Sequence, residues 1–261
     1  MADVVLYEVV DHVATITLNR PEARNALSVE VRRLLPQLAQ QADDDADVDV
    51  VILTGADPAF CAGLDLKELG SGAASVSESV EGERERRGPF PPLSKPVIGA
   101  VNGVAVTGGF ELALACDFLV ASERARFADT HGRVGIQPGW GLTVLLPQAI
   151  GVRRARELSL TGNYLDVETA LAWGLVNHVV DHDDLLPFCR KLAADIVSND
   201  QAAIRRLKRT YDDGSLVTPG EAWAVEAESA SDWIREGHGA PEQIEARRAE
   251  IEARGRKQAR P

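Results

Sequence analysis

Cysteine is scarce in this chain: there are three among 261 residues. Cys61, Cys116 and Cys189 are far apart in the sequence, and no CxxC pair occurs. The sequence therefore offers neither a disulfide framework nor a dithiol redox motif, and we expect buried free thiols in a reducing cytosol. We also expect no signal peptide and no membrane span, because the N-terminal residues lack a basic segment and no apolar run is long enough. These features predict a cytoplasmic protein.

Basic residues are also in deficit. The chain has 28 Lys and Arg against 40 Asp and Glu, giving a formal net charge of −12. A nucleic-acid-binding surface would require a basic face, so we predict no nucleic-acid partner. An anionic ligand would have to rely on local arginine or lysine side chains.

Several ligand motifs are missing as well. There is no GxGxxG segment and no glycine-rich loop followed by Lys-Ser or Lys-Thr, which argues against a dinucleotide site and a P-loop. No two histidines have metal-ligand spacing, so we predict no metal. His12, His178, His182 and His238 fall in turns or exposed contexts and carry no functional prediction.

The pattern of apolar residues predicts an α/β layered core. Val4 to Val10 and Val13 to Leu18 are predicted strands around a tight turn, and Ser28 is a candidate N-cap for a helix ending near Ala42. Further short apolar strands follow in the first half of the chain, at 50–53, 96–101 and 117–121.

Helical patterns dominate from about Val152 onward. We predict a core domain over residues 1–200 and a C-terminal helical region over residues 201–261. That region contains three candidate helices, at 201–211, 221–234 and 241–254. Gly70 to Pro92 has few apolar residues and is predicted to be a loop or loose helix.

The stretch AVNGVAVTGGFELALACD, from Ala100 to Asp117, is the most informative part of the chain. It predicts a strand that leads through a glycine pair into a helix, with Glu111 in the first turn. A glycine-rich helix start gathers free backbone N–H groups, which can stabilise a developing oxyanion. A second stretch, AFCAGLDLKEL, repeats this form around Gly63 and Asp65.

Five segments in this order and spacing resemble the crotonase superfamily, the enoyl-CoA hydratase/isomerase family. They span roughly residues 5 to 210 and are LNRPEARNALS (18–28), AFCAGLDLKEL (59–69), VNGVAVTGGFELALACD (101–117), FADTHGRVGIQPGWGLTVLLPQAIG (127–151) and ARELSLTGNYLDVETALAWGLVNHVV (155–180). The resemblance implies a spiral of ββα units that forms a layered core, followed by C-terminal helices for trimerisation or as a lid. It also implies a homotrimer or a hexamer of stacked trimers, and Trp223 and Trp233 could serve that interface or the chain's own core.

The resemblance implies an acyl-CoA thioester ligand and assigns its contacts. The backbone N–H groups of Leu64 and Gly108 are the expected oxyanion hole. Glu111 matches one of two catalytic glutamates, and Trp140 is expected to line the acyl pocket together with a flap formed by residues 70–92. The expected CoA contacts are Arg24, Ala62, Gly63, Asp65 and Leu66, with Lys67 as a weaker candidate for a phosphate.

The second glutamate of the family is missing. Counting back from Pro138 places His131 at its position, and no Glu occurs from Arg124 to Ala155. Three alternatives remain open: His131 replaces the acid, Asp129 turns inward, or Glu111 acts alone.

These alternatives leave three functions. The leading prediction is an enoyl-CoA hydratase, which adds water to a 2-enoyl-CoA. An enoyl-CoA isomerase that uses Glu111 alone is the second, and a catalytically weak acyl-CoA-binding protein is the third. None requires a cofactor other than the CoA that is part of the substrate.

Overall fold

The computed structural model describes residues 3–71 and 88–258. The chain divides into two compact units, Met1–Ile204 and Arg205–Pro261. The predicted boundary after residue 200 lies just before this division. Most of the predicted flap at residues 70–92 falls outside the described residues.

A six-stranded sheet forms the centre of the first unit. Its order is β1-β2-β3-β5-β7-β10, antiparallel between β1 and β2 and parallel elsewhere. The strands are β1 (Val5–Val10), β2 (Val13–Leu18), β3 (Val50–Gly55), β5 (Val97–Val101), β7 (Phe118–Ser122) and β10 (His178–Val180). The predicted turn between β1 and β2 is present, with Asp11 and His12 at positive φ.

A smaller sheet has the order β4-β6-β8-β9. Its strands are β4 (Ala59–Cys61), β6 (Val104–Val106), β8 (Arg126–Ala128) and β9 (Leu165–Asp166). Consecutive strands therefore enter the large sheet and then the small one before a helix follows. Strands β3 and β4 precede the helix Leu66–Ser71, β5 and β6 precede Gly108–Leu114, and β7 and β8 precede His131–Val134. These repeated ββα units confirm the predicted α/β fold class.

Helices lie between many of these strands in the sequence and continue to the end of the described residues. They are α1 (Val29–Asp44), α2 (Leu66–Ser71), α3 (Gly108–Leu114), α4 (His131–Val134), α5 (Leu142–Ile150), α6 (Val152–Thr161), α7 (Val167–Trp173), α8 (Leu185–Val197), α9 (Gln201–Gly214), α10 (Pro219–Arg235) and α11 (Pro241–Gln258). The predicted N-cap Ser28 accepts a hydrogen bond from Val31 N at 3.2 Å. Helix α1 then buries Val31, Leu35 and Ala39 against the core, because these residues recur at helical spacing.

The second unit is helical. Helix α10 begins with a capping box in which Thr218 and Glu221 satisfy each other's backbone N–H groups. The Trp233 ring stacks on His238 with centroids 3.8 Å apart, whereas Trp223 is 75% exposed. No helix in the described part of the chain is both long and apolar enough to cross a membrane.

Candidate active site

Glu111 is positioned by a tightly packed helix start. Helix α3 follows Thr107, a β-branched residue at φ 55°, where side chains other than glycine are rare. A Cβ on Gly109 would lie 2.2 Å from the carbonyl oxygen of Cys61, so only glycine allows the helix to approach β4 this closely. The chain thereby fixes Glu111 in the first turn of α3, in the interior of the first unit.

The Glu111 carboxylate is buried, with the residue 3% exposed. Its Oε1 accepts a hydrogen bond from the backbone N–H of Trp140 at 2.8 Å and a longer one from Leu142 at 3.4 Å. Trp140 lies in the turn before α5, and Leu142 is the first residue of that helix. They hold one carboxylate oxygen in place and leave Oε2 on the side of His131.

His131 lies beside Glu111, as the sequence spacing indicates. The Nε2 atom of His131 is 3.5 Å from Oε2 of Glu111, and its Nδ1 is 2.6 Å from Oδ1 of Asp129. All three residues are buried. Because Asp129 binds Nδ1, on the opposite side of the ring from Glu111, it contacts Glu111 only through the imidazole.

The electrostatics of this cluster favour a charged imidazole. Burial alone would lower the pKa of His131, but hydrogen bonds to Asp129 and Glu111 and the charges of both carboxylates raise the pKa to about 9. Burial acts to raise the pKa of Asp129, yet the hydrogen bonds from His131 and Ser159 hold that pKa below its usual value. The two neighbouring carboxyl groups therefore favour the protonated form of the His131 imidazole.

The predicted oxyanion-hole segments lie side by side. A Cβ built on Gly63, which has φ +86°, would be 3.5 Å from Gly108 N, and one on Gly108 would be 3.9 Å from Gly63 Cα. Gly108 begins α3, so its N–H has no acceptor within the helix. Leu64 follows Gly63 directly and pairs with Leu27 in a parallel bridge.

The predicted CoA contacts gather at one edge of this region. Ala62 N donates to the carbonyl oxygen of Arg24 at 3.0 Å, which joins the two segments. The side chains of Arg24 and Leu66 are exposed. The Asp65 carboxylate, in contrast, is 2.9 Å from Arg20 Nη2 and accepts from Lys67 N, so its side chain serves the fold.

Trp140 lines a cleft next to the cluster. It is 6% exposed, and a Cβ on Gly108 would lie 3.4 Å from its Cζ3. This packing against Gly108 is consistent with the prediction that Trp140 lines the acyl pocket.

Sequence reasoning missed the partners that hold these groups. Arg20, which pairs with Asp65, and Ser159, which binds Asp129, were not predicted. The spacing of Asp129 and His131, two residues apart, was the one local signal for their contact. Within residues 3–71 and 88–258, no group of three or more His, Cys, Asp or Glu side chains could hold a metal ion.

Comparisons with known proteins show which family the chain resembles. The family model for enoyl-CoA hydratase/isomerase matches residues 8–249. A probable peroxisomal enoyl-CoA hydratase 1 from Arabidopsis thaliana is 42% identical over 84% of this chain and 82% of its own length.

Solved structures of enoyl-CoA hydratases also match most of this chain. The crystal structure of enoyl-CoA hydratase from Mycobacterium smegmatis is 52% identical, with a TM-score of 0.75 over 90% of this chain and 100% of that one. The enoyl-CoA hydratase from Bacillus anthracis is 34% identical, with a TM-score of 0.84 over 96% of this chain and 97% of that one. The fold and most of the chain are therefore shared with these proteins.

Proposed function

The chain belongs to the enoyl-CoA hydratase/isomerase family, and from this premise we propose that it hydrates 2-enoyl-CoA thioesters to 3-hydroxyacyl-CoA thioesters. The observation that carries the proposal is the 3.5 Å contact between the buried side chains of Glu111 and His131, which places a carboxyl group next to an imidazole. One group can accept a proton while the other donates one, as the addition of water requires.

We assign the thioester oxygen to the backbone N–H groups of Leu64 and Gly108. Attack on the β-carbon moves the double-bond electrons toward that oxygen and forms an enolate. Two fixed donors in a dry site would stabilise this charge, and loss of one such donor typically costs about 3 to 4 kcal/mol of transition-state stabilisation. The adjacency of Gly63 and Gly108 supports this assignment.

Glu111 and His131 complete the reaction. Glu111 takes a proton from water as the water oxygen bonds to the β-carbon. His131 gives its Nε2 proton to the α-carbon, which consumes the enolate. The proton on Glu111 then passes to Nε2 across the 3.5 Å contact and restores both groups. Each step uses only protein groups and water, so we propose no cofactor beyond the CoA of the substrate.

Asp129 has a different role in this scheme. It is a positioning residue, because its hydrogen bond to Nδ1 turns Nε2 toward Glu111 and favours the charged ring. This arrangement supports the first of the three alternatives left open by the sequence, in which His131 replaces the missing glutamate.

The CoA part of the substrate is assigned to the joined loops around Arg24 and Ala62. Arg24 is exposed and is our candidate for a phosphate contact, while the backbone at Ala62, Gly63 and Asp65 would face the adenine and Leu66 would cover it. The backbone bond between Ala62 and Arg24 supports a common surface.

We further propose a cytoplasmic homotrimer or a hexamer of two trimers. Exposed apolar side chains on the C-terminal helices support an assembly: Leu207, Tyr211, Trp223, Ile234, Ile244 and Ile251 are each more than half exposed. Light scattering tests the assembly, and a monomer would contradict it.

The activity is tested by the loss of enoyl absorbance from crotonyl-CoA. Wild-type protein should hydrate crotonyl-CoA, and His131→Ala should lose most of the rate, whereas the exposed control His12→Ala should not. Conversion of a 3-enoyl-CoA to its conjugated isomer without hydration would replace the proposal with the isomerase. Acyl-CoA binding without either reaction would replace it with a binding protein.

A further inference from the structure

Arg32 presents a buried hydrogen-bond donor that the fold leaves unsatisfied. Its Nε atom has no hydrogen-bond partner among the described residues. Leaving a buried donor without an acceptor is unfavourable, and more so for a charged group. Such a donor in a ligand site is explained when the ligand brings the acceptor.

The guanidinium lies in a cleft that is otherwise apolar. The cleft has about 300 Å³ of space, including its open mouth, and its lining consists of Leu27, Arg32, Leu35, Pro36, Pro89, Leu112 and Trp140. Arg32 is the one charged residue in this lining.

The cleft begins beside the reacting groups. Leu27 and Trp140, which both line it, flank Gly108: a Cβ on Gly108 would be 3.2 Å from Leu27 Cδ1 and 3.4 Å from Trp140 Cζ3. Leu112 follows Glu111 in α3. An acyl chain whose thioester carbonyl sits at Gly108 can therefore extend between Leu27 and Trp140 toward Arg32.

We propose that Arg32 selects acyl-CoA thioesters whose acyl chain ends in a carboxylate. This inference rests on the proposed function, because it names the substrate class of the same site. A terminal carboxylate would accept a charge-assisted hydrogen bond from the guanidinium, and the short apolar walls would hold the methylene groups before it. A terminal methyl of the same chain length leaves the buried donor unpaired, so the site discriminates against it.

The test uses pairs of 2-enoyl-CoA substrates with five to eight acyl carbons. The members of each pair have the same length and differ only in a terminal carboxylate or methyl. We expect wild type to favour the carboxylate at the best chain length by about tenfold or more in kcat/KM. Arg32→Met should remove this preference, and Arg32→Lys should keep part of it. Arg33→Met, an exposed neighbour on the same helix, is the matched control and should leave the preference unchanged.

Binding provides a second readout that does not depend on turnover. Dissociation constants of the corresponding saturated ω-carboxyacyl-CoA and acyl-CoA compounds, measured by calorimetry, should show the same preference and the same loss in Arg32→Met. Absence of hydration with every substrate would refute the proposed reaction but would leave this binding test intact.

The inference is overturned if wild type binds the methyl compounds as tightly as the carboxylates at every length. It is equally overturned if Arg32→Met keeps the wild-type preference. Should Arg32→Met fail to fold in a thermal melt, the wild-type binding ratio and Arg32→Lys decide the question.

Discussion

The imidazole of His131 bridges two carboxylates, with Nε2 at 3.5 Å from Glu111 and Nδ1 at 2.6 Å from Asp129. The relationship between His131 and Glu111 distinguishes this site from one that pairs two glutamates. Two carboxylates in one site disfavour simultaneous ionisation, whereas a carboxylate and an imidazole stabilise each other's charges. The acid and the base of the reaction are therefore two different kinds of group, an imidazole and a carboxylate, on two different residues.

Replacement of Glu111 by Gln should abolish turnover while leaving substrate affinity largely unchanged. The amide keeps the size of the side chain and an oxygen for the Trp140 N–H, but it cannot accept the proton of water. We expect the crotonyl-CoA hydration rate to fall by about 10²- to 10⁴-fold. The exposed Glu123→Gln is the control, and a Glu111→Gln variant that keeps most of its rate would show that another group is the base.

His131 should set the alkaline limit of activity. The group that donates a proton to the α-carbon must be protonated, and its pKa is raised to about 9. The rate should therefore stay level through neutral pH and fall as the pH rises through about 9. Rates of crotonyl-CoA hydration across this range test the assignment, and an alkaline fall centred near 6.5 instead would contradict the raised pKa.

The same pKa makes the folded state depend on pH. Since folding raises the pKa of His131 above its unfolded value of about 6.5, its charge stabilises the native state fully below that pH, and the stabilisation is lost as the pH rises through about 9. The contribution is up to about 3 kcal/mol. Urea unfolding of wild type and His131→Gln at pH 6 and pH 9.5 should show a gap that narrows at the higher pH. A constant gap would mean that the imidazole does not titrate in this way.

Asp129→Asn should shift the pH profile of activity while leaving the fold of the site largely unchanged. The amide can still contact Nδ1 but carries no charge, so the pKa of His131 should fall by about 1 to 3 units. The alkaline limit of activity should shift by the same amount, which a purely structural role would not produce. Titration of the His131 ring by NMR measures the shift directly, with the exposed Asp212→Asn as control.

Local patterns predicted much of this structure from the sequence. Alternating apolar residues and a short turn are sufficient to predict the β1–β2 hairpin. Ser28 is predicted as the N-cap of α1 because a serine side chain can satisfy a neighbouring backbone N–H, as it does here. The proximity of Glu111 and His131 followed from the family resemblance, which places His131 at the position of the second glutamate. Each of these features depends on residues close in the chain or on a repeated motif.

Local patterns could not predict contacts between residues that are far apart in the sequence. The Asp65 carboxylate pairs with Arg20, which lies in another loop, and no local pattern predicts that contact. Whether Asp129 faces Glu111 or the far side of the imidazole depends on the turn that leads into α4. The unpaired Nε of Arg32 has no sequence signature, because burial and missing acceptors are properties of the assembled fold.

The two glycines at the start of α3 should respond in opposite ways to the same substitution. A Cβ at position 109 would meet the Cys61 backbone at 2.2 Å, which cannot move without disturbing β4. A Cβ at position 108 would meet the ends of Leu27 and Trp140 at 3.2 and 3.4 Å, with Gly63 Cα at an ordinary contact distance of 3.9 Å, and the substitution keeps the backbone N–H.

Gly109→Ala should therefore destabilise the protein by about 1 to 3 kcal/mol or more, as overpacking does. Gly108→Ala should melt near the wild-type temperature but lose activity, because the added methyl occupies the space between Leu27 and Trp140 where the thioester would lie. Thermal melts and hydration rates of both variants decide the matter. If Gly108→Ala keeps wild-type activity, the thioester does not lie at that position, since no substrate could share the space with the methyl group.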